Sequence, residues 1–249
     1  MIKSKELSKF KHIEHAFFNK FGRKSTNLFK GFNESLGSFD KIKNISRNEG
    51  TVSNKIDAKS KKIILLNQIH SNKFYYVSKS SKLFNNKFNG DALITDKRNL
   101  PIAVLTADCA PILVHDENRK MIAAIHAGWK GAYKGIIKKV IKFMIKKGCS
   151  PKNITAAVGP CISSNNYEVK EDFKKKFLKK DRKNILFFKR TKNKDHFNLN
   201  KYIHFQLESL NIKKIDIINK DTFNAKNNFF SARRSISRNE NDYGRNISI

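Results

Sequence analysis

Short apolar runs separated by polar turns fill the middle of the chain. The runs are three to five residues long and rich in Ile, Val and Leu, and runs of this length and composition predict β-strands rather than helices. Asp116–Arg119 carries the polar residues of a hairpin turn between two of them. The predicted strands cover residues 62–66, 74–77, 91–95, 102–105, 112–114, 121–125, 154–158, 185–188 and 215–218.

The hydrophobic period changes after Gly131. From Tyr133 to Met144 apolar residues recur every three or four positions with lysines between them, which predicts one amphipathic helix. Lys146-Lys147-Gly148 predicts its end, because cations complement the dipole of the last turn and glycine commonly follows it. Two more helices are predicted at residues 171–180 and about 200–210, and the polar stretch 41–62 is expected to hold a helix and a loop.

The order of these elements indicates the fold class. Strands come in a consecutive series before most of the helices, which favours an α+β fold over a regular βαβ alternation. The chain has 249 residues, enough to bury a sizeable core. Because no repeat, long linker or change of composition divides it, we expect residues 1–249 to form one domain.

The chain is strongly basic, with a formal net charge of +31. Such a charge is typical of proteins that bind nucleic acids or anionic membranes. Here the lysines are spread along the whole chain, and Lys, Asn, Ile and Phe, which all have AT-rich codons, are abundant together. We therefore interpret the charge as a solvated surface that raises the encounter rate with small anions, and we expect no specific nucleic acid partner.

The cysteine count and the hydropathy indicate in which cellular compartment the protein is expected. Three cysteines are too few and odd in number for a disulfide framework, which fits a reducing compartment. The first residues lack an apolar signal core, and no segment has the roughly 20 apolar residues that cross a bilayer. We expect a cytoplasmic protein with no membrane partner that is a monomer or a weak homo-oligomer.

Three potential metal ligands lie at the ends of predicted strands: His70, Cys109 and His126. No two have the short spacing of a Cys-x-x-Cys motif, so spacing alone does not establish a metal site. Two imidazoles and one thiolate suit Zn²⁺ or copper, and three protein ligands leave a fourth position for water or substrate. The same residues also fit a Cys–His nucleophile pair, or a turn histidine, a small buried cysteine and a core histidine.

Carboxylates and arginines supply further candidate chemistry. Asp108 precedes the cysteine and is a candidate general base, or the group that orients a ligating imidazole. Asp91 and Asp96 flank the strand before it, where turn formation is the alternative role. The guanidinium groups of Arg233 and Arg234 suit phosphate or carboxylate, with ordinary surface basicity as the alternative.

Several motifs, in a fixed order, resemble one protein family. The most specific are Thr-Ala-Asp-Cys at 106–109 and His-Ala-Gly-Trp at 126–129. The chain resembles the multicopper polyphenol oxidase-like, or laccase-domain, proteins of the purine nucleoside phosphorylase or peptidoglycan editing factor type, from about His15 to its end. Other matching segments are 67–71, 90–96, 105–113, 124–131, 158–162, 229–234 and 244–245, together with an opening segment that includes Asn33.

This resemblance implies a single-domain four-layer α/β/β/α sandwich with mixed sheets. It implies a zinc ion held by His70, Cys109 and His126, with copper as the other candidate metal; these three residues and Asp108 are the candidate catalytic residues. It also implies phosphorolysis of adenosine, inosine and methylthioadenosine to free purine and a ribose 1-phosphate, and deamination of adenosine. The candidate residues for binding nucleoside and phosphate are Asn33, Lys130, Arg233, Arg234 and Arg245.

Other activities stay open beside this one. Older descriptions of the family point to copper-dependent phenol oxidation, although one group of two histidines and a cysteine is few ligands for the several coppers of a laccase. Peptidoglycan precursor editing and hydrolysis of amide bonds by a Cys–His pair are further alternatives. The chain departs from the family pattern at Lys20, Arg23, Asp221 and Ala232, and these departures bear on substrate preference and rate rather than on fold or metal binding.

Overall fold

Strands and helices of this chain are described over residues 1–20, 50–57, 63–78 and 88–249 of a computed structural model. The strands are β1 (Phe74–Val77), β2 (Ala92–Thr95), β3 (Val104–Thr106), β4 (Ala110–Asp116), β5 (Met121–Ala127), β6 (Ile154–Val158), β7 (Glu168–Val169), β8 (Phe188–Thr191), β9 (Lys194–Phe197), β10 (Lys214–Ile217) and β11 (Asn246–Ser248). The α-helices are α1 (Trp129–Tyr133), α2 (Ile136–Lys146), α3 (Glu171–Lys180), α4 (Leu199–Glu208) and α5 (Ala232–Ser237). Residues 50–55 are also helical, and short 3-10 helices cover Leu7–Lys9, Arg182–Phe187 and Ala225–Asn227.

A mixed six-stranded sheet forms the centre, in the order β1-β2-β5-β4-β6-β10. The outer pairs β1–β2 and β6–β10 are parallel, and the inner pairs are antiparallel. β4 and β5 form the predicted hairpin, paired from Ala110 opposite Ala127 to Asp116 opposite Met121. Side chains alternate between the two faces of a strand, so Ile112 packs with the helices while Leu113 packs on the opposite face, here called the inner face.

The helical layer covers the other face of this sheet. The buried side of α2 consists of Ile136, Ile137, Val140, Ile141 and Met144, and α4 packs in the same cluster. The sequence predicted one helix across 133–146, but Gly135 interrupts it with φ of 83° and begins α2. Glycine adopts this left-handed backbone without a steric penalty, so the chain turns there while the apolar period continues.

Two further layers lie against the inner face. The first is the small antiparallel sheet of β3 and β11, which packs through Val104 together with Phe17. Its far side contacts Val52 and Ile56 of the helical segment. The layers therefore follow the order helix, six-stranded sheet, small sheet, helix, and the four-layer α/β/β/α sandwich with mixed sheets is confirmed. That residues 1–249 form one domain stays a prediction.

Two predicted strands are wrong. Within 62–66 the described residues form no strand and make one isolated parallel bridge between Ile64 and Ile102. The run 185–188 lies largely in the 3-10 helix Arg182–Phe187, because Asp181 caps that helix by accepting a hydrogen bond from the Lys183 amide. Local capping there overrides the β-branched composition. Residues 41–49 and 58–62 of the polar stretch lie outside the described residues.

Two further observations concern the cysteines and the helices of the described residues. The three cysteines are free, with no disulfide among them. No helix in the described ranges combines the length and the apolar character needed to cross a membrane.

Candidate metal centre

The three potential ligands converge at one end of the inner face. His126 lies on β5 in alternation with Ala124, Cys109 directly precedes β4, and His70 lies in the loop before β1. One ligand atom from each lies within 4.8 Å of the others, and Cys109 Sγ is 3.7 Å from His70 Nε2. In the part of the chain that the structure describes, this is the one group of three or more such ligands.

The buried carboxylate of Asp91 connects two of the ligands. One oxygen accepts hydrogen bonds from His126 Nδ1 at 2.8 Å and from the His70 amide at 3.0 Å. The other accepts from the amide and the hydroxyl of Ser71 at 2.5 and 2.6 Å. Because Nδ1 of His126 is engaged, its Nε2 is the nitrogen left for the ligand group, which is how carboxylates orient metal-binding histidines.

Gly128 allows the three ligands to approach one another. A Cβ atom at this position would lie 2.7 Å from Cys109 Sγ and 3.0 Å from His70 Cδ2, which is closer than van der Waals contact permits. The glycine of the His-Ala-Gly-Trp motif is therefore a packing requirement of the centre. Trp129 next to it packs edge-on against Phe173 with ring centroids 4.8 Å apart, so its ring belongs to the aromatic core under α3.

The ligands form a charged pair when no metal is bound. Burial alone would raise the pKa of the Cys109 thiol, but the neighbouring His126 and His70 rings lower it to about 6. Burial would likewise lower the pKa of His126, but the Cys109 charge and Asp91 raise it to about 9. At neutral pH the pair is therefore a thiolate and an imidazolium, and a metal ion must displace the imidazolium proton to bind.

Asp108 precedes Cys109 in the chain, and its hydrogen-bond partners are residues other than the two imidazoles. Its buried carboxylate accepts hydrogen bonds from Thr222 Oγ1 at 2.6 Å and from the Arg233 amide at 2.8 Å. Burial raises the pKa of this carboxyl group. Asp108 thus fixes the start of α5 next to the centre, while Asp91 is the carboxylate that orients an imidazole. The role of Asp108 as a general base stays a prediction.

The two arginines of the predicted phosphate site have different surroundings. The buried Arg234 guanidinium donates to the carbonyls of Thr222, Phe223 and Phe229 at 2.5 to 2.9 Å, so backbone acceptors engage it. Arg233 is half-buried and donates one hydrogen bond to the Glu168 carbonyl at 3.2 Å. This difference makes Arg234 a part of the scaffold and leaves Arg233 with donors for a ligand.

Sequence reasoning missed Tyr167. The Arg233 guanidinium lies 5.6 Å from the centroid of its ring. Burial and the charge of Cys109 raise the pKa of the Tyr167 hydroxyl. The hydroxyl is therefore a neutral hydrogen-bond donor, and it lies near enough to Cys109 for that charge to act on it. Tyr167 follows no strand and belongs to no motif of the chain, and nothing in the sequence distinguished it from a core tyrosine.

The remaining candidates for substrate binding are Lys130, Arg245 and Asn33. Lys130 is exposed on α1, with its amine 5.6 Å from the Trp129 ring. Arg245 is half-buried, with its guanidinium 4.9 Å from the Tyr243 ring. Asn33 lies outside the described residues. The roles of these residues in substrate binding stay predictions.

Among the residues that depart from the family pattern, Asp221 has the clearest structural role. Its carboxylate accepts hydrogen bonds from the amide and hydroxyl of Ser163 and from the Asn166 side chain, at 2.6 to 3.1 Å. It thereby joins the loop before Tyr167 to the segment that carries Thr222. Ala232 is the first residue of α5, the amine of Lys20 lies 4.6 Å from the Phe230 ring, and Arg23 lies outside the described residues.

Known proteins similar to this chain match nearly all of it. It is 32% identical over 227 residues to a purine nucleoside phosphorylase of Rickettsia prowazekii, which covers 90% of each chain. A second, from Rickettsia conorii, is 34% identical over 224 residues, 88% of this chain and 91% of the relative. The crystal structure of the hypothetical protein YfiH of Bacillus licheniformis superposes with a TM-score of 0.85 at 25% identity, covering 94% of this chain and 90% of that one.

A family model accounts for the same span. The model described as multi-copper polyphenol oxidoreductase laccase matches residues 14–249, which include all three ligands and both arginines. The match, the fold and the group of His70, Cys109 and His126 agree with one another. The chain therefore belongs to the multi-copper polyphenol oxidoreductase laccase family.

Proposed function

We propose that this chain is a zinc-dependent purine nucleoside phosphorylase that acts on adenosine, inosine and methylthioadenosine. The observation that carries the proposal is the position of Arg233, whose amide is held by the residue next to Cys109. The centre thus combines potential metal ligands with the nearby Arg233 guanidinium. Among the described residues only the Glu168 carbonyl accepts a hydrogen bond from it, so N–H donors are left for a ligand. Relatives named purine nucleoside phosphorylase, aligned over about 90% of the chain, support the same activity.

The donor set fits zinc. Two imidazoles and a thiolate are ligands that zinc prefers, and the three atoms already lie within 4.8 Å of one another. Asp91 supplies the hydrogen bond that zinc-binding histidines usually make with their second nitrogen. A zinc ion with three protein ligands keeps one position open and supplies Lewis-acid chemistry there. Copper is the other candidate metal for the same ligands.

Phosphorolysis places defined demands on the protein. A phosphate oxygen forms a bond to the anomeric carbon of the sugar while the bond from that carbon to the purine nitrogen breaks, and the purine takes up a proton. Phosphate must therefore be held against the sugar by cations. The planar fork of Arg233 suits this task, because it binds phosphate oxygens with two parallel hydrogen bonds. Lys130, Arg245 and Asn33 are the further proposed contacts to substrate.

Deamination of adenosine and the cellular context complete the proposal. The same centre would convert adenosine to inosine by hydrolysis.

Oxidation of phenols by several coppers is less well supported, because the described residues hold one group of metal ligands. A cytoplasmic location and a monomeric or weakly associated state stay predictions.

Metal analysis paired with a nucleoside assay tests the activity. We expect about one zinc per purified chain and release of free purine from adenosine or inosine that requires phosphate. The variant His126→Ala loses a ligand and is expected to retain less than one hundredth of this rate, with zinc content reduced in parallel. Asp172→Asn, on the exposed start of α3, serves as the matched control and keeps both.

Separate assays distinguish the parts of this proposal. Purine release without phosphate would indicate hydrolysis instead of phosphorolysis. Equal purine release by the wild type and His126→Ala would show that the activity does not depend on this centre. Inosine formation from adenosine, followed by its absorbance, tests the deaminase activity independently.

A Cys–His hydrolase of amide bonds is the second candidate, favoured by the thiolate character of Cys109. Alkylation by iodoacetamide separates the two. A metal-bound thiolate reacts slowly until a chelator removes the metal, whereas a free nucleophile reacts at once. We expect protection in the purified protein and, after chelation, a rate at Cys109 that rises with pH around a midpoint of about 6 because the thiolate forms above its pKa.

The other two cysteines are internal controls for this labelling. Both Cys149 and Cys161 are buried, and burial raises the pKa of each thiol, that of Cys149 to about 12. Peptide mass spectrometry assigns the label to each site. Immediate labelling of Cys109 in protein that contains its full metal complement would contradict the zinc proposal and favour the hydrolase.

The two arginines give opposite predictions. Arg233→Ala is expected to raise the KM for phosphate at least tenfold, because its charged hydrogen bonds to phosphate are lost, with the unfolding temperature unchanged. Arg234→Met instead leaves buried carbonyls without donors and is expected to lower the free energy of unfolding by about 3 kcal/mol. Phosphate-saturation kinetics and thermal unfolding measure both, with the exposed Arg238→Ala as control. A normal KM for phosphate in Arg233→Ala would rule out its assigned role.

A further inference from the structure

A cavity lies at the opposite end of the inner face from the candidate metal centre. It has a volume of about 530 Å³, within the range of sites that bind small molecules. His115 of β4 and Ile122 of β5, a paired position in the hairpin, line it. The described lining includes none of His70, Cys109 and His126, and His126 lies two residues beyond Ala124, the nearest lining residue on β5, about 7 Å at the usual rise of a strand.

The described wall of this cavity has an apolar side and a cationic side. The apolar side includes Leu100, Ile102, Leu113 and Ile122. The cationic side consists of Lys11, Lys97, Arg98 and Lys120. Within the described ranges, none of these four cations forms an ion pair with a carboxylate.

Two carboxylates also line the cavity, and they do not cancel this charge. Glu14 is paired with Lys3, at 2.7 Å, and Asp57 is the other. The wall therefore carries an excess of positive charge next to an apolar surface.

One ring nitrogen of the buried His115, beside this wall, lacks a hydrogen-bond partner among the described residues. His115 is 1% exposed, and its Nδ1 has no partner among the described residues. Its Nε2 lies 3.1 Å from Nε2 of His12, and the same His12 atom lies 3.3 Å from the amine of Lys120. A single imidazole lone pair does not accept two strong hydrogen bonds, so at least one of these donors is poorly satisfied. Unsatisfied buried polar groups are destabilising and point to an absent partner.

The electrostatics favour an anion as that partner. Burial and the charge of Lys120 lower the pKa of His12, and burial and His12 with Lys120 lower that of His115, to about 4. Burial is the largest cause of both shifts, and Glu117 and Asp116 act against them, but the positive charge of Lys120 contributes to each and also disfavours a divalent metal ion. In the described residues no third metal ligand joins the two histidines. A negatively charged group would instead neutralise the field and accept from the unsatisfied donors.

We propose that this cavity binds a small amphipathic anion, a carboxylate or a phosphate monoester that carries an apolar body. The anionic group lies at His12, His115 and Lys120. The apolar body lies along Leu100, Ile102, Leu113 and Ile122. This site is independent of nucleoside phosphorolysis at the metal centre, so either proposal stands if the other fails.

Two matched fluorescent probes test the proposal on the full chain. Anilinonaphthalene sulfonate is an apolar anion, and N-phenyl-1-naphthylamine is the same body without the sulfonate. We expect the wild type to bind the anion at one saturable site and more tightly than the neutral probe. Lys120→Met should weaken the affinity for the anion at least tenfold and leave that for the neutral probe unchanged. Lys142→Met, an equal loss of charge on the exposed side of α2, should bind both as the wild type does.

A second variant and competition by small molecules for the probe complete the test of the anion site. His115→Phe keeps the ring and removes both nitrogens, so it should also lose the preference for the anion; Lys120 is exposed, and its variant decides the outcome if His115→Phe does not fold. Displacement by octanoate or by octyl phosphate, but not by octanol, identifies the preferred anionic group. Equal affinity for the sulfonate probe in the wild type and Lys120→Met, or an equal loss in Lys142→Met, would overturn the proposal.

Discussion

The candidate metal centre depends on the carboxylate of Asp91. This carboxylate lies just before β2, fully buried, and accepts four hydrogen bonds from three residues: His70, Ser71 and His126. Two ligands from separate parts of the chain thereby share one anchor, and the third, Cys109, comes within reach of both. Burial acts to raise the pKa of Asp91, but the bonds from His126 and Ser71 outweigh it and leave that pKa below its ordinary value. The carboxylate therefore stays charged at neutral pH, as the imidazolium beside it requires.

The candidate metal centre and the proposed anion cavity both lie on the inner face of the six-stranded sheet. Its side chains alternate with those that pack on the helices, so each inner residue of β4 or β5 lies between the two sheets. At one end of this layer the strands present His126 and the loop residue Cys109. At the other end they present His115 and the proposed anion cavity. Asp108 connects the first site to α5, because its carboxylate accepts a hydrogen bond from the Arg233 amide.

The sequence patterns predicted strands and helices correctly where the local conformational preference of a segment agrees with its tertiary packing. Residues 154–158 and 171–180 form β6 and α3 with the predicted bounds. The pattern failed where a single residue decides the backbone, as with Gly135, or where a side-chain cap competes with β propensity, as at Asp181. For the site, the motifs identified the three residues that converge as potential ligands, but the sequence did not decide which aspartate orients an imidazole and named Asp108 as the candidate catalytic residue. The pairing of β2 with β5 brings Asp91 to His126 instead, and that contact spans 35 residues. Periodicity likewise carries no information on which of two adjacent arginines is buried.

Zinc affinity of the variant Asp91→Asn tests the account most directly. The substitution keeps the size of the side chain and removes the charge that holds His126 and the loop of His70. We predict that competition with a chromophoric chelator will show zinc bound about 10- to 100-fold more weakly than by the wild type, while Asp172→Asn binds it normally. Zinc affinity in Asp91→Asn equal to that of the wild type would contradict the central role of this carboxylate.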